Sequence, residues 1–340
     1  MRTLVRAIWV ALFAAAPALA QRAPTNQRIE LARVGSVGFT VSDLDRSVAF
    51  FTEVLGFVSA GEAERVGEAE ERLSGVFGAR VRVARLALGT DTLELSQYLA
   101  PEGRPLPVES RGNDRWFQHV AIVVSDMDRA YATLRAHKVR HASTGPQRLP
   151  DSNPNAGGIR AFYFKDPDGH FLEAIWFPAG KGDPRWQRGS DAETFLGIDH
   201  TAIVVEDTEA SLAVYRDLLG FTVAGQSRNY GPEQARLNNV EGASLLITGL
   251  RLSAGPGVEL LEYLTPRTGR PYPADARSND LVHWQTTLVA RAGAAVDLAA
   301  TSGLRLVSDG VTQIVDRGPA FSRGVVVRDP DGHALRVVQR

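Results

Sequence analysis

Three glutamates stand among apolar neighbours, where a carboxylate is expensive. Glu173 lies in Phe171-Leu-Glu-Ala-Ile-Trp176, a run that reads as a strand with apolar residues on both faces. An unpaired carboxylate there would cost several kcal/mol, so a cation, either a metal ion or a guanidinium, is expected beside it. Glu259, in Val258-Glu-Leu-Leu, makes the same demand more weakly, because Glu262 shows that its strand admits other charge. Glu94, flanked on its own face by Thr92 and Ser96, is the least demanding and could be solvated. The 340-residue chain has no cysteine, which excludes disulfides, thiolate zinc sites and Cys nucleophiles. Any metal must be held by His, carboxylate or amide oxygen.

The elements that would position these groups come from repetition. Val41-Ser-Asp-Leu-Asp-Arg-Ser through Leu55-Gly-Phe57 recurs as Val205-Glu-Asp-Thr-Glu-Ala-Ser through Leu219-Gly-Phe221, and Asp166-Pro-Asp-Gly-His170 recurs as Asp329-Pro-Asp-Gly-His333. Pro101 through Arg111-Gly-Asn-Asp114 recurs as Pro266 through Arg277-Ser-Asn-Asp280. The offset stays at about 164 residues, so 34–177 and 195–340 read as two copies of one domain joined by a Gly, Pro and charge-rich linker, 178–194. Each copy divides again, because Val120-Ala-Ile-Val-Val-Ser-Asp-Met-Asp repeats the opening around Val37. The four modules are 34–99, 116–177, 195–264 and 281–338. Each opens with a β-branched apolar run (Val37–Val41, Val120–Val124, Thr201–Val205, Thr286–Val289) that reads as a buried strand. In the first three, Asp43, Asp126 or Asp207 marks a helix start, with apolar residues at helical spacing behind it. Gly56-Phe57 and Gly220-Phe221 supply a helix stop, and Asp-Pro-Asp-Gly suits a tight turn between later strands. The unit is β-α-β-β-β and the fold class α+β.

Composition narrows the partners. There are 38 basic against 39 acidic side chains and no polybasic run, which gives no footprint for nucleic acid. Arg2 and Arg6, the apolar run Ala7–Ala16 and Ala18-Leu-Ala20 read as a signal peptide over 1–20, cleaved before Gln21. Export to the periplasm or the medium is therefore expected, with 21–33 a loose lead-in. The apolar run is shorter than the roughly 20 residues needed to cross a bilayer, and no other segment reads as a membrane span. Oligomeric state is not legible.

The opening motif, Asp-Pro-Asp-Gly and their spacing resemble the vicinal oxygen chelate superfamily, which includes glyoxalase I, bleomycin resistance and extradiol dioxygenase families. The resemblance covers nearly all of the chain after the signal peptide. It implies two tandem glyoxalase/dioxygenase-like domains whose paired modules curve into open barrel cups, with one divalent metal ion held by first-strand and last-strand side chains. Carried over residue by residue, the first-strand positions hold Ser36, His119, His200 and Gln285, and the last-strand positions hold Glu94, Glu173, Glu259 and Arg336. The implied metal ligands are His119, Glu173, His200, Glu259, Glu94 and Gln285. Ser36 and Arg336 depart from the pattern, and arginine, always protonated, is no ligand. His283, two residues before Gln285, could replace it if a bulge shifts the register.

Two pairings follow. If modules pair within each copy, one cup offers Glu94, His119 and Glu173, and the other offers His200, Glu259 and Gln285 facing Arg336. If the middle modules pair across the linker, His119, Glu173, His200 and Glu259 converge, and Glu94 can pair with Arg336 in a metal-free cup. The lengths of the connections do not choose between them. For His119 and His200 the competing reading is a core histidine bonded to backbone. His170 and His333 read as turn residues, His137 and His141 as solvated, and Trp116, Trp176 and Trp284 as core. The repeated Arg-x-Asn-Asp reads as a loop-ordering motif, and Gly269-Arg270-Pro271 as plain surface.

Nitrogen and oxygen ligands suit Fe, Mn, Ni or Zn. The resemblance implies a metal-dependent enzyme acting on a small oxygenated molecule, dioxygenase-like or lyase/isomerase-like, with Glu173 or Glu259 as general base. The alternatives are a protein that sequesters a small molecule in its cups, as bleomycin resistance relatives do, and a structural protein that has lost its metal sites.

Overall fold

The computed structural model describes residues 28–188, 192–291, 294–314 and 321–339. The signal peptide reading over 1–20 lies outside the described residues. The first module comprises β1 (Leu31–Thr40), α1 (Leu44–Ala49), β2 (Val58–Val66), α2 (Glu68–Ser74), β3 (Arg80–Leu88) and β4 (Asp91–Ala100). The second comprises β5 (Gln118–Val124), α3 (Met127–Ala136), the two-residue strands β6 (Arg140–His141) and β7 (Gln147–Arg148), β8 (Arg160–Lys165) and β9 (Phe171–Trp176). The third has β10 (Phe195–Val205), α4 (Thr208–Leu212), β11 (Thr222–Tyr230), α5 (Pro232–Asn238), β12 (Ser244–Arg251) and β13 (Gly257–Thr265). The fourth has β14 (Trp284–Ala290), α6 (Ala294–Ala300), β15 (Arg305–Leu306), β16 (Thr312–Gln313), β17 (Arg323–Arg328) and β18 (Ala334–Gln339). The second strand of the repeat is thus reduced to two short pieces in modules two and four, and a short extra helix follows it in modules one and three.

Local chemistry fixes these elements. Asp43, Asp126 and Asp207 are the N-caps of α1, α3 and α4, accepting hydrogen bonds from the backbone of Arg46, Arg129 and Ala210 at 3.0, 2.8 and 2.8 Å. Gly56, at φ 73°, ends the first helix, which passes into a π turn over Phe50–Val54. The Phe57 amide then donates back to the Phe51 carbonyl at 3.0 Å, and the Phe57 ring is buried. Gly220 and Phe221 repeat the device, with Phe221 donating to Tyr215 at 2.9 Å. In both Asp-Pro-Asp-Gly turns the first aspartate accepts from the Gly amide through its side chain, at 2.7 and 2.8 Å.

The strands form two sheets, ordered β15-β17-β18-β14-β1-β4-β3-β2 and β11-β12-β13-β10-β5-β9-β8-β6. One sheet therefore joins the first and fourth modules through the antiparallel pair β1·β14, and the other joins the second and third through β5·β10. The apolar cores follow the other grouping. One cluster holds Phe51, Leu86 and Leu95 with Val120, Leu134 and Phe162, and the other holds Tyr215, Leu250 and Leu260 with Leu288, Val325 and Val337. Each strand can serve both because its side chains alternate: Val120, Ile122 and Val124 of β5 face a core, while His119, Ala121 and Val123 face the cup.

One expectation is corrected by the structure and another gains detail. The lead-in 21–33 is not loose at its described end, because β1 begins at Leu31. Ile29 is buried against the third and fourth modules, and its amide donates to Leu218 at 2.7 Å. The linker 178–194 is more than a spacer: Pro184–Arg188 forms a 3-10 turn that packs on the middle cup. Among the described residues no helix is long and apolar enough to cross a membrane.

Candidate metal centre

The register of the middle sheet assembles the centre. Ala121 of β5 lies between Glu173 of β9 and His200 of β10, and Ala202 of β10 lies between His119 of β5 and Glu259 of β13. Two rows, each with an alanine at its middle, thus place four candidate ligands on one face, and the small central residues leave room for the larger side chains to converge.

Converge they do. His119 Nε2 is 3.1 Å from Glu173 Oε2, and His200 Nε2 is 3.5 Å from that same oxygen and 3.3 Å from Glu259 Oε2. Ligand atoms of His119, Glu173 and His200 all lie within 4.8 Å of one another. Donors bonded at about 2.0–2.2 Å to one tetrahedral ion sit roughly 3.3–3.6 Å apart, so these spacings suit a shared cation. His200 Nε2 is buried and makes no hydrogen bond, despite two carboxylates within 3.5 Å. These residues fit a divalent ion.

Burial would raise the Glu173 carboxyl, but contact with His119 and His200 takes it down to about 2. Burial would likewise lower His200, yet the charge of Glu259 and contacts with Asp199 and Glu173 push it up to about 10. The cluster is therefore a strongly anionic pocket that selects positive charge, whether proton or metal. His200 Nδ1 is 2.9 Å from Asp199 Oδ2, and Asp199 also takes hydrogen bonds from Arg251 at 2.8 Å and Trp186 at 2.7 Å. A carboxylate on the far nitrogen leaves Nε2 free to ligate. His119 Nδ1 is buried without such a partner. Glu173 is 6% exposed and Glu259 29%, so Glu259 stands at the edge of the centre, facing the cup. The cup holds a cavity of about 820 Å³.

The structure brings His119, Glu173, His200 and Glu259 together and places Glu94 and Gln285 elsewhere. Those two lie in the outer cup, where Gln285 pairs with Gly38 and Glu94 with the same glycine from the other side. Glu94 is not solvated. It is 2% exposed, accepts from Arg336 at 2.8 Å and has Arg85 and Arg65 at 3.4 and 3.6 Å. Guanidinium groups thus supply the compensating charge, and Glu94 and Gln285 are not joined with the histidines in a ligand set. His283 does not replace Gln285: it precedes β14, and Gln285 itself stands in register.

Asp199, Trp186 and Arg251 were missed in the sequence, although the Asp199-His200 doublet inside an apolar strand was a usable signal. Gly269-Arg270-Pro271 is likewise not plain surface. Arg270 bonds Asp114 at 2.6 Å, Arg104 bonds Asp280 at 2.7 Å, and the two Asn-Asp loops are thereby clamped reciprocally across the copies. His170 and His333 are buried and bond the carbonyls of Leu281 and Val204 at 2.8 Å each.

Four βαβββ modules curled into two cups, one carrying a convergent His and carboxylate cluster that could hold a metal ion, define the class of scaffold to which this chain belongs. The chain belongs to the Glyoxalase/Bleomycin resistance protein/Dioxygenase superfamily, whose family model matches residues 33–174 and again 197–337. It is 41% identical over 152 residues to a 2-epi-5-epi-valiolone epimerase from Actinomyces, a match covering 43% of this chain and 80% of that one. It is 27% identical over 184 residues to a lactoylglutathione lyase from Arabidopsis thaliana, spanning 54% of this chain and about half (53%) of that relative. Among solved structures, glyoxalase I from Zea mays aligns with TM-score 0.54 at 17% identity, covering 90% of this chain and 92% of that one. A putative dioxygenase from Bacillus subtilis aligns at 0.56 and 14%, covering 92% and 86%. At these identities the structural likeness is one of fold.

Proposed function

We propose that the chain is an exported, divalent-metal-dependent enzyme that moves a proton on a carbon next to a carbonyl of a small oxygenated substrate, the lyase/isomerase arm of the superfamily. The observation that carries this reading is the convergence of His119, Glu173 and His200 on one point, with Glu259 beside them and open to the cavity. A bound ion would act as Lewis acid on substrate oxygen and stabilise the charge left when the proton departs. Glu173, buried and engaged by both histidines, is suited to anchoring the ion. Glu259, more exposed and 3.3 Å from His200 Nε2, is suited to taking the proton and returning it. The Actinomyces relative, named as an epimerase, favours proton transfer over oxygen chemistry.

Metal analysis of the purified chain is expected to give one divalent ion per molecule, and Glu259→Gln is expected to retain the ion. On small α-hydroxy ketones in D2O, the same variant should lose deuterium incorporation by roughly 10²–10⁴-fold. A chain that takes up no divalent metal at micromolar concentration would overturn the enzymatic reading and leave sequestration in its place. Export is tested separately: N-terminal sequencing of the protein outside the cytoplasm should begin at Gln21.

A further inference from the structure

The charge lining the middle cup carries an inference about substrate class, which rests on the reading of the site as a metal-dependent enzyme. Among the described residues that line the cavity, the carboxylates are Glu173, Asp183, Asp199 and Glu259, and the Arg or Lys side chains are Arg185 and Arg251. Both guanidinium groups are committed. Arg251 bonds the Asp199 carboxylate at 2.8 Å and its carbonyl at 2.6 Å. Arg185 reaches Asp91 at 3.4 Å and Asp183 at 3.8 Å and lies 3.9 Å over the Trp186 ring. Beyond the lining, Arg148 pairs with Asp151 at 2.6 Å, and Lys181 donates to the Pro154 and Asn155 carbonyls at 2.5 and 3.1 Å.

Four carboxylates, two guanidiniums and one divalent ion sum to zero. A substrate carboxylate or phosphate would enter a cup whose lining offers no uncommitted cation except the metal, and would lose its hydration without gaining a guanidinium or ammonium partner from the wall. The wall instead offers uncharged hydrogen-bonding groups: Asn155, Gln226, Ser227, Asn229 and Gln234. Asn229 is 5% exposed and accepts from Asn153 at 2.8 Å, while Gln234 is 1% exposed, donates to Asn238 and keeps an Oε1 that makes no hydrogen bond. Amides offer donors and acceptors together, which matches hydroxyl groups.

We propose that the middle cup takes a compact, uncharged, polyhydroxylated carbonyl compound and discriminates against carboxylate-bearing analogues of the same size. The amides of Asn229 and Gln234 hold its hydroxyls, and the metal end of the cup holds its carbonyl and the neighbouring hydroxyl.

Calorimetric titration of the metal-loaded full chain tests this with myo-inosose, an uncharged pentahydroxycyclohexanone, and with 3-dehydroquinate, a cyclic hydroxy ketone bearing a carboxylate. The inosose is expected to bind at least about tenfold more tightly, the value of one charge-assisted contact denied to the anion. Gln226→Lys, at an exposed wall position where it costs one hydrogen bond to Thr248, should strengthen 3-dehydroquinate binding by about tenfold and close that gap. Equal or tighter binding of 3-dehydroquinate by the unmodified chain, or no inosose binding at millimolar concentration, overturns the proposal. Metal content measured on the same samples separates the two readings. A chain without metal sinks the enzymatic reading, whereas a metal-loaded chain with the wrong order of ligands sinks this one alone.

Discussion

The two cups are the same construction with opposite contents. In the middle cup the rows across the sheet run Glu173, Ala121, His200 and His119, Ala202, Glu259. In the outer cup the matching rows run Arg336, Thr287, Ser36 and Gln285, Gly38, Glu94. Arg336 therefore stands where Glu173 stands, and it donates to Glu94, the counterpart of Glu259, at 2.8 Å. Thr287, in the place of Ala121, accepts from Arg336 Nε at 3.1 Å. A change of sign at a last-strand position, with a hydroxyl to hold the guanidinium and Ser36 and Gln285 in place of the two histidines, turns a cation-seeking cluster into a self-neutralised one. The lesson is that the scaffold fixes where charge converges, while side-chain identity decides whether the compensating cation is an ion or part of the chain.

That contrast can be broken from either side. The largest effect is expected for Glu173→Ala, which should abolish stoichiometric metal uptake in the middle cup, with losses beyond the roughly 10–100-fold that an outer contact is worth. Metal content after dialysis against micromolar metal checks it. Arg336→Met should leave metal content unchanged but strip Glu94 of its closest partner. A cost near the lower end of about 3–5 kcal/mol is expected in denaturant unfolding, because Arg85 and Arg65 remain nearby. Adding Glu94→Leu should restore most of it.

Asp199→Asn is expected to weaken metal affinity by about 10–100-fold, since it loosens the imidazole of His200 without removing a ligand. A competition titration with a chelating indicator reads this, and an unchanged affinity would mean that Asp199 serves only the fold. The smallest effect concerns pH. Burial would raise the Glu94 carboxyl, but the charges of Arg336 and Arg65 hold it well below the usual carboxylate range. Its stabilising contribution is then fully present above the unfolded value of about 4.3 and is lost as pH falls below that toward the folded value. In that window the unfolded chain binds the extra proton. The stability of the unmodified protein should fall more steeply than that of Glu94→Gln by up to about 1.4 kcal/mol per pH unit.

Much of the architecture was legible because its signals are local. Asp43, Asp126 and Asp207 cap helices through bonds to amides three residues away, and the Gly56 and Gly220 stops and Asp-Pro-Asp-Gly turns close within a few residues. The demand of Glu173 for a cation was legible because burial of a strand can be read from its own residues. Glu94 was misjudged because its face neighbours Thr92 and Ser96 are polar, while the burial comes from β1 and β3 packed on either side of it. Asp199 was missed because its partners, Trp186 and Arg251, are 13 and 52 residues away.

The sequence by itself determined the repeating unit, the cysteine-free ligand chemistry and which strand positions face a cup, since these depend on neighbours along the chain and on alternation. The tertiary structure alone decided that β5 pairs with β10 and β1 with β14, and hence that four candidate ligands share one cup and both departures share the other. Module pairing is a choice between similar strands joined by similar lengths of chain. It is settled by the summed fit of edges and faces across the whole molecule, and no short stretch of sequence contains that sum.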